Sequence, residues 1–328
     1  ELYWRPILAF LVAMAALAPV LFSGLPRQML RLSVLAPFVV PWLLWGGSIW
    51  LPLSVLFGFG IGYVFFGVGS RRLGSLIGLI LAILAPILWW LVLAGPVAQF
   101  LTESLTPLVM LEPIESRQFG GFMLSVTIGL TAITLSLPLG IVLALGRQSD
   151  LVIVKALCVG FIEFIRGVPL ITLLFVASTL LNYFLPPGTS FDIIIRVIIM
   201  VTLFASAYMA EVVRGGLAAL PKGQYEAADA LGLDYWKARR LIIMPQALKI
   251  SIPGIVSTFI GVFKDTTLVS IIGLLDPIGL SSSIRADVNW NGIVWELYGF
   301  IALVFFVFCF SMSRYSMYLE RKLQTGHR

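Results

Sequence analysis

The chain has 328 residues, of which 59% are hydrophobic and 12% are charged, and its mean hydropathy is +1.02. A soluble domain is about a quarter charged, so this composition excludes a soluble protein and indicates a polytopic membrane protein. The net charge of +6 is explained by basic loops beside membrane spans rather than by nucleic-acid binding. The two cysteines are isolated and His327 is the single histidine, so the sequence gives no basis for a disulfide framework or a metal site.

Long apolar runs along the whole chain predict transmembrane helices. Each run approaches the roughly 20 residues that a helix needs to cross the hydrocarbon core, and the short alternating strands of a membrane barrel are absent. The predicted spans are residues 6–23, 33–50, 53–69, 73–94, 120–145, 152–182, 191–213, 248–275 and 293–318. We therefore expect an all-α polytopic membrane protein with about nine transmembrane helices.

Basic residues indicate the orientation of these spans. They cluster at alternate junctions, namely Arg27 with Arg31, Arg71 with Arg72, Arg147 with Lys155, the polar segment at about 215–247, and the tail after Arg314. The positive-inside rule makes those junctions cytoplasmic and places residue 1 outside. Because the sequence begins with Glu rather than Met, we expect a further segment upstream. Prolines and Gly46–Gly47 interrupt residues 33–69, so the alternative there is that one span is a hairpin or an interfacial helix.

The distribution of polar residues divides the chain into two sections. Residues 1–117 are almost charge-free and are interpreted as extra N-terminal transmembrane helices, whereas residues 118–328 carry polar side chains inside the spans. Ionisable groups within a span are costly and mark functional positions. We therefore expect the functional core in the second section.

Two pairs of charged residues in this core are spaced to meet on one helix face. Glu163 with Arg166 and Glu211 with Arg214 are each three residues apart, which suits an ion pair within a helix. We interpret them as gate or structural pairs. Glu211 also has Tyr208 one turn away, so these two residues remain candidates for a substrate pathway.

A polar segment at about 215–247 stands between two apolar runs. It predicts two short helices, with Gly232 closing the first in a C-terminal cap position, Asp234 as the N-cap of the second, and Pro245 marking its break. No nucleophile, base and metal set accompanies it. Small side chains with a charged rim suit docking into a groove of another protein, and the alternative is an ordinary solvated loop.

The span at 248–275 contains adjacent charged residues and hydroxyls. Lys264 and Asp265 are followed by Thr266, Thr267 and Ser270. A lysine beside an aspartate can complement both charges of a zwitterionic solute, and a broken helix would add backbone groups near the midplane. The alternative is an internal ion pair that locks helices together.

The polar segment resembles the EAA loop of binding-protein-dependent ABC importer permeases. That pattern is E-A-A, three residues, G, nine residues, then I-x-L-P. Its members in this chain are Glu226, Ala227, Ala228, Gly232, Ile242 and Pro245, with Met244 in place of the usual leucine. In that family the first helix of the loop docks into a groove of the ATPase subunit, so the resemblance implies that these residues couple the permease to the ATPase.

Two further stretches resemble the polar and general L-amino-acid branch of these permeases. "FIEFIRGVPLI" is similar to its E-x-x-R-G-x-P-L signature, and "FKDTTLVSIIGL" is similar to its K-D-T-[ST]-L-V-S segment. The resemblance covers about 119–325 and implies a type I importer core of five helices. It also implies an ATPase dimer that holds ATP and Mg, a second and paralogous permease subunit, a periplasmic amino-acid-binding protein and the bacterial inner membrane.

The alternative function is an ion-coupled secondary amino-acid transporter that works as a single chain. It would leave the polar loop without a purpose, and no clear inverted repeat is visible. An integral-membrane enzyme would need a reactive set of side chains, and a channel would not need a docking loop. The chain also lacks the G-x-x-x-x-G-K-[ST] phosphate-binding loop, so we expect no ATPase activity and no cofactor in this chain.

Overall fold

Helices form almost all of the secondary structure. A computed structural model of the protein describes residues 4–21, 26–105, 110–180, 183 and 192–324. The contacts divide the chain into two compact units, Glu1–Gln118 and Phe119–Arg328. His327 lies outside the described residues.

The first unit contains five α-helices and one small antiparallel ladder. Its elements are α1 Trp4–Leu21, α2 Leu30–Trp45, β1 Gly47–Ser48, α3 Trp50–Leu73, α4 Ser75–Leu88, α5 Ala94–Ser104 and β2 Met110–Leu111. Residues 33–69 thus form two helices separated by a turn, because Gly46 and Gly47 adopt the left-handed backbone that most residues avoid. The predicted spans 33–50 and 53–69 correspond to α2 and α3.

The predicted span 73–94 is longer in the structure than in the sequence analysis. A π-helical turn, Trp89–Leu93, connects α4 to α5, and the apolar helix extends from Ile77 to Ser104. The expected external loop after residue 94 therefore begins as helix, and that boundary was wrong. The wider π turn lies just before Pro96 and accommodates a proline that cannot donate to the preceding turn.

Arg5 connects distant parts of the first unit. Its side chain is buried, and it donates from Nε to the Leu43 carbonyl at 2.9 Å and from Nη1 to the Glu112 carbonyl at 2.8 Å. Gly46 has to be glycine beside it, because a Cβ there would collide with the Glu112 carbonyl and the Arg5 guanidinium. One arginine thus joins α1, the end of α2 and the segment after β2.

The second unit contains the remaining helices. They are α6 Phe122–Arg147, α7 Val152–Gly167, α8 Leu170–Phe175, α9 Ile193–Ala218, α10 Lys222–Ala230, α11 Tyr235–Ala238, α12 Met244–Asp265, α13 Pro277–Ala286 and α14 Val294–Gln324. Helix α9 lies at the centre, since Val201, Ala205, Met209 and Val213 are fully buried along its length. A cluster of buried apolar side chains joins α9 to α6, α7 and α12.

The predicted span 152–182 is bent rather than straight. Helices α7 and α8 meet at an angle of 102°. Val168, just before Pro169, has φ −105° and ψ 134°, the extended conformation that a following proline imposes. The proline ring thus ends α7 and redirects the chain into α8.

The described residues contain six helices that are long and apolar enough to cross a membrane, or seven if the bent pair is one span. Helices α1 and α2 add two shorter apolar helices. These nine segments correspond to the nine predicted spans. The predicted all-α polytopic membrane fold is confirmed.

Candidate functional site

The predicted loop at 215–247 forms a helical hairpin, which we define as α10, the turn at Gly232, and α11. Gly232 has φ +67°, its amide donates to the Asp229 carbonyl, and the Leu233 amide donates to the Ala228 carbonyl. This pattern is a Schellman motif, which closes the C-terminus of a helix. The Asp234 side chain accepts from the Lys237 amide at 2.9 Å, so both predicted caps are confirmed. The same hydrogen bond lowers the pKa of Asp234.

The six EAA-pattern residues occupy different positions in this hairpin. Glu226 and Ala227 are exposed on α10, whereas Ala228 is buried on the opposite side. Ile242 packs against the apolar cluster around α9, and Pro245 is at the start of α12. The outward face of α10 therefore carries small side chains and carboxylates, while the other pattern residues shape and support the hairpin.

Pro245 does not end the helix, contrary to our expectation. Residues Tyr235–Ile272 form one helical stretch, in which a π-helical turn, Arg239–Ile243, precedes α12. The Met244 amide donates to the Arg239 carbonyl five residues back. This wider turn gives the proline ring room within the continuous helix, where the ring would otherwise clash with a carbonyl of the preceding turn.

The two predicted ion pairs belong to one larger cluster, which we call the ion network: Arg147, Glu163, Arg166, Glu211 and Arg214. Nη1 of Arg147 lies 3.0 Å from Glu163 and 2.6 Å from Glu211, and Arg214 lies 3.0 Å from Glu211. Arg166 is more distant, at 4.0 Å from Glu163 and 3.8 Å from Glu211. The network joins α6, α7 and α9.

Sequence spacing missed Arg147, which bridges the two pairs. Its neighbours are 16 and 64 residues away in the chain, so no helical period connects them. The sequence feature that could have predicted this contact is the short connection between α6 and α7, which places the start of α7 beside the end of α6. An arginine at the end of one helix of such a hairpin is placed to meet carboxylates on the next.

Tyr208 and Glu211, two candidates for the substrate pathway, lie in or beside this network. The Arg166 guanidinium carbon is 5.7 Å from the centre of the Tyr208 ring, and Phe204 packs on the same ring at 4.8 Å. Both carboxylate oxygens of Glu211 face arginines. This geometry brings both residues into contact with the charged pairs, and their role in a substrate pathway stays a prediction.

The other pathway candidates lie where α12 changes into a 3₁₀ helix, Thr266–Ile272. The hydroxyls of Thr266, Thr267 and Ser270 each donate to a carbonyl three residues back. The Lys264 side chain is exposed and Asp265 is half-buried, and within the described part of the chain neither forms an ion pair of 4.0 Å or less. Within the described residues, Lys264 and Asp265 therefore do not form the ion pair that was the alternative to a substrate pathway.

Comparison with known proteins identifies the family. The family described as "Binding-protein-dependent transport system inner membrane component" matches residues 136–325, a range that lies within the second unit and includes the hairpin and the whole ion network. The chain belongs to this family. It is the permease component of an ABC importer, and nothing supports the ion-coupled alternative.

Two curated relatives are similar to more of the chain than the family range covers. The chain is 62% identical, over 99% of its length and 75% of the relative, to the "Glutamate/glutamine/aspartate/asparagine transport system permease protein BztC" of Rhodobacter capsulatus. It is 53% identical, over 73% of its length and 62% of the relative, to the "Inner membrane amino-acid ABC transporter permease protein YhdY" of Escherichia coli K12. A solved structure described as an amino acid ABC transporter with histidines superposes with a TM-score of 0.55 at 30% identity, covering 62% of this chain and 92% of the other. The predicted importer-permease fold is thereby confirmed.

Proposed function

We propose that this permease imports L-amino acids and is driven by ATP hydrolysis in separate subunits. The observation that carries the proposal is an exposed helix of small and acidic residues, α10, in a chain of this family. The names of the relatives support the substrate class, because the 62% identical relative is described as a permease for glutamate, glutamine, aspartate and asparagine.

The proposed assembly contains a dimer of ABC ATPase subunits, which binds ATP and Mg, and a second permease subunit related to this one. A periplasmic amino-acid-binding protein delivers the substrate, and the complex lies in the bacterial inner membrane in contact with lipid. The family description as an inner membrane component of a binding-protein-dependent system supports these partners. This chain itself holds no cofactor in the proposal.

In the proposal, the ATPase acts on the permease through the outward face of α10. Glu226 and Ala227 present a smooth acidic surface that fits a groove of the ATPase, while Gly232 holds the turn and Ile242 supports the hairpin against the membrane helices. Closure of the ATPase dimer pushes on α10 and switches the spans between outward-facing and inward-facing arrangements.

Substrate passes beside the end of α12 in this proposal. Lys264 is exposed within a candidate span, a costly position unless it faces a polar pathway or a neighbouring subunit. Lys264 and Asp265 together complement the carboxylate and the ammonium of an amino acid. Thr266, Thr267 and Ser270 bond to their own backbone and shape this end of the helix.

The test is reconstitution into liposomes with the ATPase subunits, the second permease and the binding protein. Uptake of a labelled amino acid is expected to require enclosed ATP and to fall to background when the ATPase subunits are omitted. Accumulation by this chain alone under an ion gradient would instead identify a secondary transporter.

A further inference from the structure

Arg239 lies between two aromatic rings in the hairpin. Its guanidinium carbon is 5.3 Å from the centre of the Tyr225 ring on α10 and 5.0 Å from the centre of the Tyr235 ring on α11. Both distances are within the range of a cation–π interaction. We call these three residues the clasp, because the arginine contacts one ring on each helix of the hairpin.

The clasp continues into helix α9. The Tyr225 hydroxyl donates to the Leu217 carbonyl at 3.2 Å, in the last turn of α9. The Tyr225 side chain therefore makes two contacts, because its ring lies against Arg239 and its hydroxyl donates to α9. This hydrogen bond ties α10 directly to the end of α9.

A second polar contact ties α10 to α12. Nε2 of Gln246 donates to the side-chain oxygen of Gln224 at 2.8 Å and to the Ile242 carbonyl at 3.0 Å. Gln224 and Tyr225 are neighbours on α10. Two adjacent residues thus connect the helix proposed to dock on the ATPase to the two spans that flank the hairpin.

Apolar packing holds α10 mainly through the Tyr225 ring, which contacts the buried cluster around α9. Ala228 is the one buried residue of this helix, and its small side chain offers little apolar surface. Nη1 of Arg239 is also buried without a hydrogen-bond partner among the described residues. An unsatisfied buried donor costs stability, so a methionine would serve better at this position if its role were packing alone.

We propose that Arg239 is a positioning residue for coupling, which fixes α10 against α11 so that force applied to α10 reaches α9 and α12. This inference rests on the proposed function, in which α10 receives the motion of the ATPase. It adds Tyr225, Gln224 and Gln246 as the contacts that pass this motion on.

The decisive variant is Arg239→Met in the assembled complex, which removes the cation and keeps a long side chain. Substrate-stimulated ATP hydrolysis is expected to fall about fivefold, the lower end of typical coupling effects, while basal hydrolysis remains. Arg240→Met is the matched control. Arg240 lies in the same π turn and is exposed, and its side chain makes no hydrogen bond or ion pair within the described residues, so stimulation is expected to stay unchanged.

Two conservative variants separate positioning from folding. Arg239→Lys retains a cation over the rings and should recover most of the stimulation, whereas Tyr225→Phe keeps the ring and loses the bond to Leu217. Tyr225→Phe should therefore lower stimulation without lowering complex yield. If Arg239→Met does not assemble, these two variants carry the test by themselves.

Equal stimulation in the Arg239→Met and Arg240→Met complexes would overturn the inference. So would a loss of thermal stability in Arg239→Met with unchanged stimulation per assembled complex, because that result assigns a purely structural role. Failure of the proposed function looks different, since even the unaltered complex would then show no substrate-stimulated hydrolysis, and the inference would fall with it.

Discussion

Arg147 shares one guanidinium nitrogen between Glu163 on α7 and Glu211 on α9. Its side chain is a quarter exposed and that of Glu211 is less exposed still, so this contact is screened less by solvent than a surface ion pair. Without Arg147, Glu163 would keep only the longer contact to Arg166. Arg147 therefore ties α6 to both α7 and α9 at this point, whereas Arg166 separately joins α7 to α9.

Gly232 is a second residue whose identity the backbone requires. We expect Gly232→Ala to destabilise the hairpin by about 1–2 kcal/mol, because an L side chain resists the left-handed conformation. A Cβ at this position would meet nothing within 4 Å, so the cost arises from the backbone and not from a collision. Substrate-stimulated ATP hydrolysis of the assembled complex is expected to fall, and this activity is the measurement.

Gly223→Ala is the matched control for this variant. Gly223 lies in the same hairpin, within α10, and has no left-handed backbone and no neighbour within 4 Å of its Cβ. Alanine there should stabilise the helix by about 0.5–1 kcal/mol. Equal activity in the two variants would show that the left-handed turn is not needed for coupling.

At the scale of elements, proline and glycine decide where helices bend and where they continue. Pro169 turns α7 into α8 by 102°, whereas Pro245 lies in a helix that continues across it. The difference is the preceding turn: residues 239–243 widen into a π turn, while Val168 is extended. The same residue type thus has opposite effects in the two places.

The sequence predicted the helices better than their ends and their mutual contacts. Apolar run length identified all nine segments, and the turn chemistry of Gly232 and Asp234 predicted the caps, because both depend on neighbouring residues. The extension of α5 to Ser104 was missed, since its polar residues resembled a loop. The bridge through Arg147 and the clasp at Arg239 were also missed, because both depend on packing between helices.

Asp276 provides a test of one element through its pH dependence. It caps α13 by accepting from the amides of Ile278 and Gly279. Burial raises the pKa of this carboxyl, and the amide hydrogen bonds oppose that rise. Because its folded pKa exceeds its unfolded one, the folded state binds more protons, and stability falls as pH rises from about 3.9 through the folded pKa.

Asp276→Asn should abolish this fall in stability with pH. Asp276→Ala should lower the free energy of unfolding by about 1–2 kcal/mol, because the helix cap is lost.

Asp234→Asn is the control for this experiment. Asp234 also caps a helix, but the Lys237 amide lowers its pKa, so its stabilising effect is lost as pH falls through the folded value. Thermal unfolding in detergent across this acidic range measures both variants. Parallel pH profiles for Asp276→Asn and the unaltered protein would contradict the assignment to Asp276.

At the scale of the whole molecule, the bilayer takes the place of a core for many side chains. Large apolar residues are exposed along most of the spans, as with Tyr63 at 81%, Val152 at 80% and Phe300 at 65%. Such a surface matches hydrocarbon rather than water. Two exposed lysines of α12 differ from this background: Lys249 lies near the polar hairpin, whereas Lys264 lies at the far end beside the hydroxyl residues.

We expect Lys264→Met and Asp265→Ala to impair transport by the whole assembly. Loss of one charge-assisted contact to the substrate corresponds to about a tenfold reduction in apparent affinity. ATP-dependent uptake with competing amino acids measures both the affinity and the substrate profile. Lys249→Met, which changes an exposed lysine near the opposite end of α12, should leave uptake and selectivity intact.

Unchanged uptake and an unchanged substrate profile in Asp265→Ala would show that the pathway does not pass this site. Loss of complex assembly in Lys264→Met, with normal uptake per assembled complex, would instead place Lys264 at a contact between subunits. The two results therefore distinguish the pathway from an interface.

The buried arginine of the first unit also constrains the order of events during synthesis. Arg5 donates to the Glu112 carbonyl, 107 residues later in the chain. At a translation rate of about 5–20 residues per second, the ribosome needs several seconds after making Arg5 to supply this acceptor. Until the segment that contains Glu112 is synthesised, the Arg5 guanidinium must therefore be solvated or bound to another group. Helix α1 can reach its final position in the first unit only after that segment is available.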